Sequence, residues 1–241
     1  MDGPGPFRVL RDVLLRAPPR ITGLPSGAAL QDGSPDIEEL GRLAERLDDS
    51  YLFIQGPPGS GKTWTGAQLA AHLLHGGARV GIAATSHKAI HNLLHEIETT
   101  AHERQLSFHG YKKSSAGNPE SEYRSALERP FITSEASQQA FPPPDDVQLL
   151  AGTAWLFAPE SMDGTLDYLI IDEAGQVSLA GSGCAMCPWI SSHRTIFCSA
   201  LVTAAMSAPH ASSAATAAAL GCPWRSKRSA SRSHIPTSSR P

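Results

Sequence analysis

The stretch Tyr51-Leu52-Phe53-Ile54-Gln55-Gly56-Pro57-Pro58-Gly59-Ser60-Gly61-Lys62-Thr63 decides the fold. A short apolar run passes into a glycine-rich turn closed by a Lys-Thr pair, an order that predicts strand, phosphate-binding loop and helix. The glycines let successive backbone N–H groups converge on phosphate oxygens without Cβ clashes. The helix opening near Gly61 adds its positive end at the same point. Gly56, Pro57, Pro58, Gly59, Ser60 and Gly61 form the candidate cradle, while Lys62 offers a point charge to the β- and γ-phosphates and Thr63 a hydroxyl to a magnesium ion. The ligand class that this stretch implies is a magnesium-bound nucleoside triphosphate.

A second stretch, Tyr168-Leu169-Ile170-Ile171-Asp172-Glu173-Ala174-Gly175-Gln176, lies about a hundred residues downstream. Four apolar residues running into two carboxylates predict a buried parallel strand that delivers acids to its C-terminal end, where open α/β sheets bind ligands. Asp172 is the candidate magnesium holder, through water, and Glu173 the candidate base for an attacking water. A solvated acid pair at a strand end is the plain alternative; the upstream loop favours the paired site.

These residues carry a family resemblance. Asp172-Glu173-Ala174-Gly175-Gln176 resembles motif II of superfamily 1 helicases, and Gly56 to Thr63 resembles their motif I. Ala84-Thr85-Ser86-His87-Lys88-Ala89-Ile90 is similar to motif Ia, which in that family touches the backbone of single-stranded nucleic acid. Leu150-Ala151-Gly152-Thr153-Ala154-Trp155 resembles the Gly-Thr segment before motif II. Order and spacing resemble the branch of nonsense-mediated-decay and Okazaki-fragment-processing helicases, which includes bacterial fusions to a RecB-type nuclease. The resemblance covers roughly residues 48 to 180. It implies an α/β, RecA-like P-loop fold, a parallel sheet flanked by helices, and ATP hydrolysis coupled to movement on single-stranded DNA, with RNA second. It also implies Lys62, Glu173 and Gln176 as catalytic residues, with Gln176 sensing the γ-phosphate. ATP and Mg2+ are the implied cofactors, and Thr85, Ser86, Lys88 and Thr153 the implied nucleic-acid contacts. For Ser86 and Lys88 the residue types agree, since hydroxyls and amines at a strand end suit a phosphate backbone.

The resemblance is incomplete. Motif III, the adenine-stacking aromatic and the arginine fingers of a second RecA-like domain do not follow Gln176, and the chain has room for about one such domain. The expectation is a motor domain cut short after motif II and inactive without its missing partner. The alternative is a non-catalytic nucleotide-binding relic. A P-loop kinase or GTPase is disfavoured, because kinases lack Asp-Glu-Ala-x-Gln and no Asn-Lys-x-Asp guanine signature is present.

After Glu173 the chain holds no Asp or Glu, although 23 occur in all, and the four cysteines fall in this part. Ala/Ser runs and a basic Ser/Arg end follow. The shift predicts a low-complexity tail over 181–241 that does not fold onto the body, as an out-of-frame reading beginning near Ala180 would give. Cys184, Cys187, Cys198, Cys222, His193 and His210 lack the paired spacing of a zinc ribbon.

Elsewhere, residues 1–36 read as a linker or the remnant of a preceding region, with a short amphipathic helix from Val9 to Arg16. The motor domain spans 37–180. Ser34-Pro35-Asp36 reads as a helix start with Pro at the first position. Helices are expected over 35–47, Thr63–His75 and 87–104, and strands at 51–55, Arg79–Ala84, Val147–Ala151 and Leu166–Ile171. Ile90, Leu93, Leu94 and Ile97 form a core-facing stripe. His87, His91 and His95 share a helix face and read as solvated or phosphate-facing rather than metal-binding. Residues 105–146 read as a polar variable insertion, with Tyr111-Lys112-Lys113 either on a solvated loop or adding stacking and charge toward nucleic acid. The net charge of −3 joins an acidic body to a basic end. Absence of an export signal or long apolar run predicts a cytoplasmic chain with no membrane span.

Overall fold

The computed structural model describes residues 8–31, 36–57, 59–174 and 194–199. The expected elements form in order: α1 (Arg8–Leu15), α2 (Ile37–Glu45), β1 (Tyr51–Gln55), α3 (Lys62–His75), β2 (Val80–Ala83) and α4 (His87–Glu103). After them come β3 (Gly110–Lys113) and β4 (Ile132–Glu135), which lie outside the sequence expectations, then β5 (Leu149–Gly152) and β6 (Tyr168–Ile171), which match them, and finally β7 (Arg194–Ser199), which does not. The described strands make one seven-stranded sheet in the order β1-β7-β6-β2-β5-β3-β4, and every pairing is parallel. This is the RecA-like P-loop α/β fold.

Parallel strands covered on both faces must be apolar on both, and alternate residues do segregate. Leu52, Ile82, Ala151, Ile170 and Ile196 face a core built with α2, α3 and α4. Tyr51, Leu150, Leu169, Ile171 and Phe197 face a second core with Val9, Leu10 and Val13 of α1 and with Leu156, Phe157 and Met162 from the turns after β5. Helix starts follow local chemistry: Asp36 caps α2 by accepting from Glu39 N at 2.7 Å, and Ser86 caps α4 by accepting from Ala89 N at 3.1 Å. The cap of α2 is therefore Asp36, with Ile37 the first helical residue; Ser34 and Pro35 lie outside the described residues.

Three sequence expectations give way. Residues 8–31 are packed structure rather than a linker, because the apolar face of α1 fills the second core and Thr22 N bonds to Arg46 O at 2.7 Å. The segment 105–146 extends the main sheet through β3 and β4, and Lys112, expected on a solvated loop or facing nucleic acid, is fully buried. Its ammonium donates to Ser121 O and reaches His87 Nδ1 at 3.1 Å.

Part of the chain after residue 180 also joins the sheet. Arg194–Ser199 forms a central strand inserted between β1 and β6, with Leu52↔Ile196↔Ile170 in register. Thr195, Ile196, Phe197 and Cys198 are all buried. The strand is anchored at its start by Arg194, whose Nε donates to Leu47 O at 2.8 Å and whose Nη1 lies 3.1 Å from the Tyr168 hydroxyl. The expectation that this part stays off the body fails here because a run of β-branched and aromatic residues between two open strand edges gains both ladders at once. The remainder of 175–193 and 200–241 lies outside the described residues, and with it Gln176, Cys184, Cys187, Cys222, His193 and His210.

Candidate phosphate and metal site

The site forms at the C-terminal ends of β1 and β6. Between them runs β7, so the two strands are separated by two inter-strand spacings, about 10 Å. The loop after β1 crosses that gap. Gly59 and Gly61 adopt φ of 78° and 79°, a left-handed backbone that glycine enters without the Cβ penalty. Gly61 is also the cap residue of α3 and supplies no side chain there, leaving the first-turn N–H groups facing out of the helix. Pro58 lies outside the described residues.

Lys62 folds back over the loop. Its ammonium donates to Gly56 O at 2.9 Å and Pro57 O at 2.6 Å, with Ser60 Oγ at 3.4 Å. These carbonyls hold the charge above the cradle. Thr63, next on the helix, donates through Oγ1 to Asp172 Oδ2 at 3.3 Å across a sequence separation of 109 residues. Hydroxyl and carboxylate thus meet at one point, as a pair that would share a divalent cation.

Asp172 is buried, and burial raises its carboxyl pKa above the ordinary value. The Glu173 N–H, the Thr63 hydroxyl and the Lys62 charge oppose that rise. Its carboxylate also accepts from Glu173 N at 2.9 Å through Oδ1. Glu173 has a φ of 52°, a left-handed conformation that is rare for a residue with a Cβ. That turn sends its carboxylate sideways, where Thr85 Oγ1 donates to Oε2 at 3.4 Å.

The candidate nucleic-acid residues leave the same sheet edge on the other side of β6. The register Ile171↔Ala83↔Gly152 brings Thr85 and Thr153 out on adjacent strands. Lys88 is exposed on the first turn of α4. The hydroxyl of Ser86 is occupied as the α4 cap. Thr153 opens the turn Ala154–Leu156, in which Leu156 is buried and Trp155 is exposed.

Two contributors escaped the sequence reading. One is the Thr85–Glu173 contact, which needs the β2–β6 pairing to be known. The other is Cys198, buried beneath the loop, with Gly66 of α3 packed on its sulfur. Burial pushes its thiol up to about 12, the Asp172 charge adding and the Lys62 charge opposing, which marks how close β7 runs to the site. His87 and His91 are both held below the usual imidazole range by burial and then by the Lys112 charge. Among the described residues no cluster of three His, Cys, Asp or Glu side chains has a metal-binding arrangement, and no helix is long and apolar enough to cross a membrane.

Loop, strand-end acid and sheet order together define a P-loop nucleoside-triphosphate-binding domain. The chain belongs to the AAA domain family, whose model matches residues 41–182. That match spans β1 to the acids after β6. Among solved structures the chain is similar to the UvsW helicase from bacteriophage T4, at 13% identity and a TM-score of 0.46. The likeness covers 76% of this chain and 58% of that one. No curated protein matches the chain.

Proposed function

We propose that this chain is the ATP-binding motor domain of a superfamily 1 type helicase, which hydrolyses Mg·ATP in step with movement on single-stranded DNA. The observation that supports this best is the 3.3 Å contact between Thr63 and Asp172, which joins loop and strand-end acid into one cation site. In this reading the first-turn N–H groups and Lys62 bind the β- and γ-phosphates, and the two loop carbonyls release Lys62 to them. Magnesium, held by Thr63 and by Asp172 through water, would neutralise charge that develops on the phosphoryl oxygens. Glu173 orients and deprotonates the attacking water, and Gln176 senses the γ-phosphate.

The single strand would lie along Thr85, Ser86, Lys88 and Thr153, one and two strands away from Asp172. Thr85 touches Glu173, so occupancy of the strand groove and alignment of the water-activating carboxylate share a hydrogen bond. That contact is a direct route from nucleic acid to hydrolysis. A second RecA-like domain supplies the arginine fingers in this mechanism, and such arginines are worth about 10³ to 10⁵ in turnover. The chain alone is therefore expected to bind nucleotide and hydrolyse it slowly.

Titration calorimetry of the full chain with Mg·ATP tests the reading, with Lys62→Ala as comparison. Binding that disappears in the variant supports it, and equal affinity refutes the role of Lys62. Hydrolysis stimulated by single-stranded DNA more than by RNA of the same sequence supports the polymer assignment. Nucleotide binding without any stimulated turnover would favour the non-catalytic module.

A further inference from the structure

The histidine stripe of α4 belongs neither to the phosphate loop nor to the acids after β6. His87, His91 and His95 recur at four-residue steps, which places them along one side of the helix. The chain between β3 and β4 crosses that side. Lys112 of β3 meets His87 Nδ1 at 3.1 Å, and the ring of Tyr123 lies 5.5 Å from that of His91. Between helix and crossover lies an open groove of about 540 Å³, lined on one side by His91, Asn92 and His95 and on the other by residues of the segment 119–124.

Charge decides what the groove can take. Lys112 is fully buried, and the two partners of its ammonium, the Ser121 carbonyl and His87 Nδ1, are both neutral acceptors. A cation buried on neutral partners is costly, and an anion close by would offset that cost. The neighbouring acids are mostly engaged. Glu98 of α4 accepts from the Tyr123 hydroxyl at 2.8 Å and from the Phe131 and Ile132 N–H groups at 2.9 and 3.0 Å. Glu122 pairs with Arg124 at 3.1 Å, and the exposed Glu120 favours the protonated His87 ring. Against these acids, burial first and then the Lys112 charge hold His87 and His91 below the usual imidazole range, with the Ser121 carbonyl opposing at His91.

The lining itself supplies donors: the Asn92 amide, the imidazole N–H groups of His91 and His95, and the Arg124 guanidinium. The Arg124–Glu122 pair is exposed and therefore weak, so the guanidinium is free to turn to a ligand. We propose that this groove is a second phosphate-binding site, in which Arg124, Asn92, His91 and His95 hold one phosphate group beside the buried Lys112 charge. Lys88 is exposed one turn before Asn92 on the same helix face, so a nucleic-acid backbone and a small phosphate compound both have access to it. An anion in the groove favours protonated imidazole. His91 thus takes up a proton as the ligand binds, and affinity rises as pH falls through the imidazole range.

The test follows the imidazole signals of the full chain by NMR at constant ionic strength, during titration with inorganic phosphate, with sulfate and with a short oligothymidylate. Saturable shifts of the His91 and His95 rings are expected, with His72 and His75 of α3 as unmoved controls. Arg124→Ala should weaken phosphate about tenfold, the worth of one hydrogen bond to a charged group, and His95→Ala by a similar factor read at His91. Both positions are exposed, so the fold is retained. Sulfate keeps its charge over this range, so tighter sulfate binding at lower pH reports the protein's own proton. Oligothymidylate shifts that weaken in Lys88→Ala assign the phosphate to a nucleic-acid backbone; shifts with inorganic phosphate alone assign it to a small molecule, and both outcomes support the site. Rings that move with none of the three ligands, or that move together with His72 and His75, would overturn it. Shifts unchanged by both Arg124→Ala and His95→Ala would do the same, as would zinc binding at these rings with phosphate silent. The site is independent of the phosphate loop, so Lys62→Ala should leave the shifts in place. Their loss in that variant would trace them to the loop and overturn the second site.

Discussion

Replacing Ile196 by alanine tests whether the strand after residue 193 belongs to the sheet. Ile196 is fully buried, lies in register between Leu52 of β1 and Ile170 of β6, and joins the core beneath α3. Ile→Ala at a fully buried site costs about 2–5 kcal/mol, from lost transfer energy plus the cavity that neighbours do not fill. A central strand held on both sides collapses poorly, so the upper half of that range is expected. Domains of this kind have total stabilities of about 5–15 kcal/mol, and the variant would lose a large share of it. With urea slopes of about 1–3 kcal/mol per molar, the midpoint should fall by on the order of 1–3 M. Leu14→Ala is the control: its side chain is 51% exposed, and surface changes stay within about 0.5 kcal/mol. Matching midpoints for the two variants would mean that Arg194–Ser199 does not pack between β1 and β6. A chain ended at Ala180 lacks that strand altogether and should show no cooperative transition.

Three further outcomes follow from the site and its surroundings. Burial holds Lys112 down at about 8 against an ordinary 10.5, so the folded chain sheds this proton in a window where the unfolded chain keeps it. Stability should therefore rise with pH across that window, and urea midpoints of Lys112→Met should lack that rise. Because burial raises the Asp172 pKa and a metal needs the ionised form, Mg·ATP affinity should weaken on acidification at a higher pH than for an ordinary aspartate; calorimetry against pH checks this, and Asp172→Asn should abolish the magnesium dependence. Thr85→Val removes the hydroxyl that donates to Glu173, so DNA-stimulated hydrolysis should fall up to about tenfold while ATP affinity holds; equal losses in both would refute the proposed route.

The elements legible in sequence share one property: they announce themselves locally. An apolar run before glycines, a helical apolar stripe and four apolar residues before two acids each need no partner to be recognised. What stayed hidden depends on neighbours. Lys112 reads as a loop residue because an ammonium is rarely buried, and only the β3–β5 pairing with the turn at Ser121 shows how it is housed. The run Arg194–Ser199 is a fair strand by its Thr, Ile and Phe, but the Ala/Ser-rich composition around it outweighs six residues. Docking of α1 was invisible for the same reason, since an amphipathic face does not say what it covers.

The backbone at Glu173 ties these parts together. A residue with a Cβ held at a φ of 52° costs of order 1–3 kcal/mol, and such conformations persist only where their surroundings fix them. Here Asp172 accepts the Glu173 N–H and Thr85 meets its carboxylate, so both neighbours of the bend are functional candidates. Were the strand to continue straight, the next side chain would alternate away from Asp172 to the opposite sheet face. The left-handed turn instead keeps the two acids together at the edge and aims the second toward β2. Asp172 thereby faces the phosphate loop across β7, and Glu173 faces the strand-end hydroxyls on the other side. Arg16, Asp49 and Gln105 share this left-handed backbone among the described residues, but Glu173 is the one of the four that lies at the candidate site, where the bend fixes the direction of both acids.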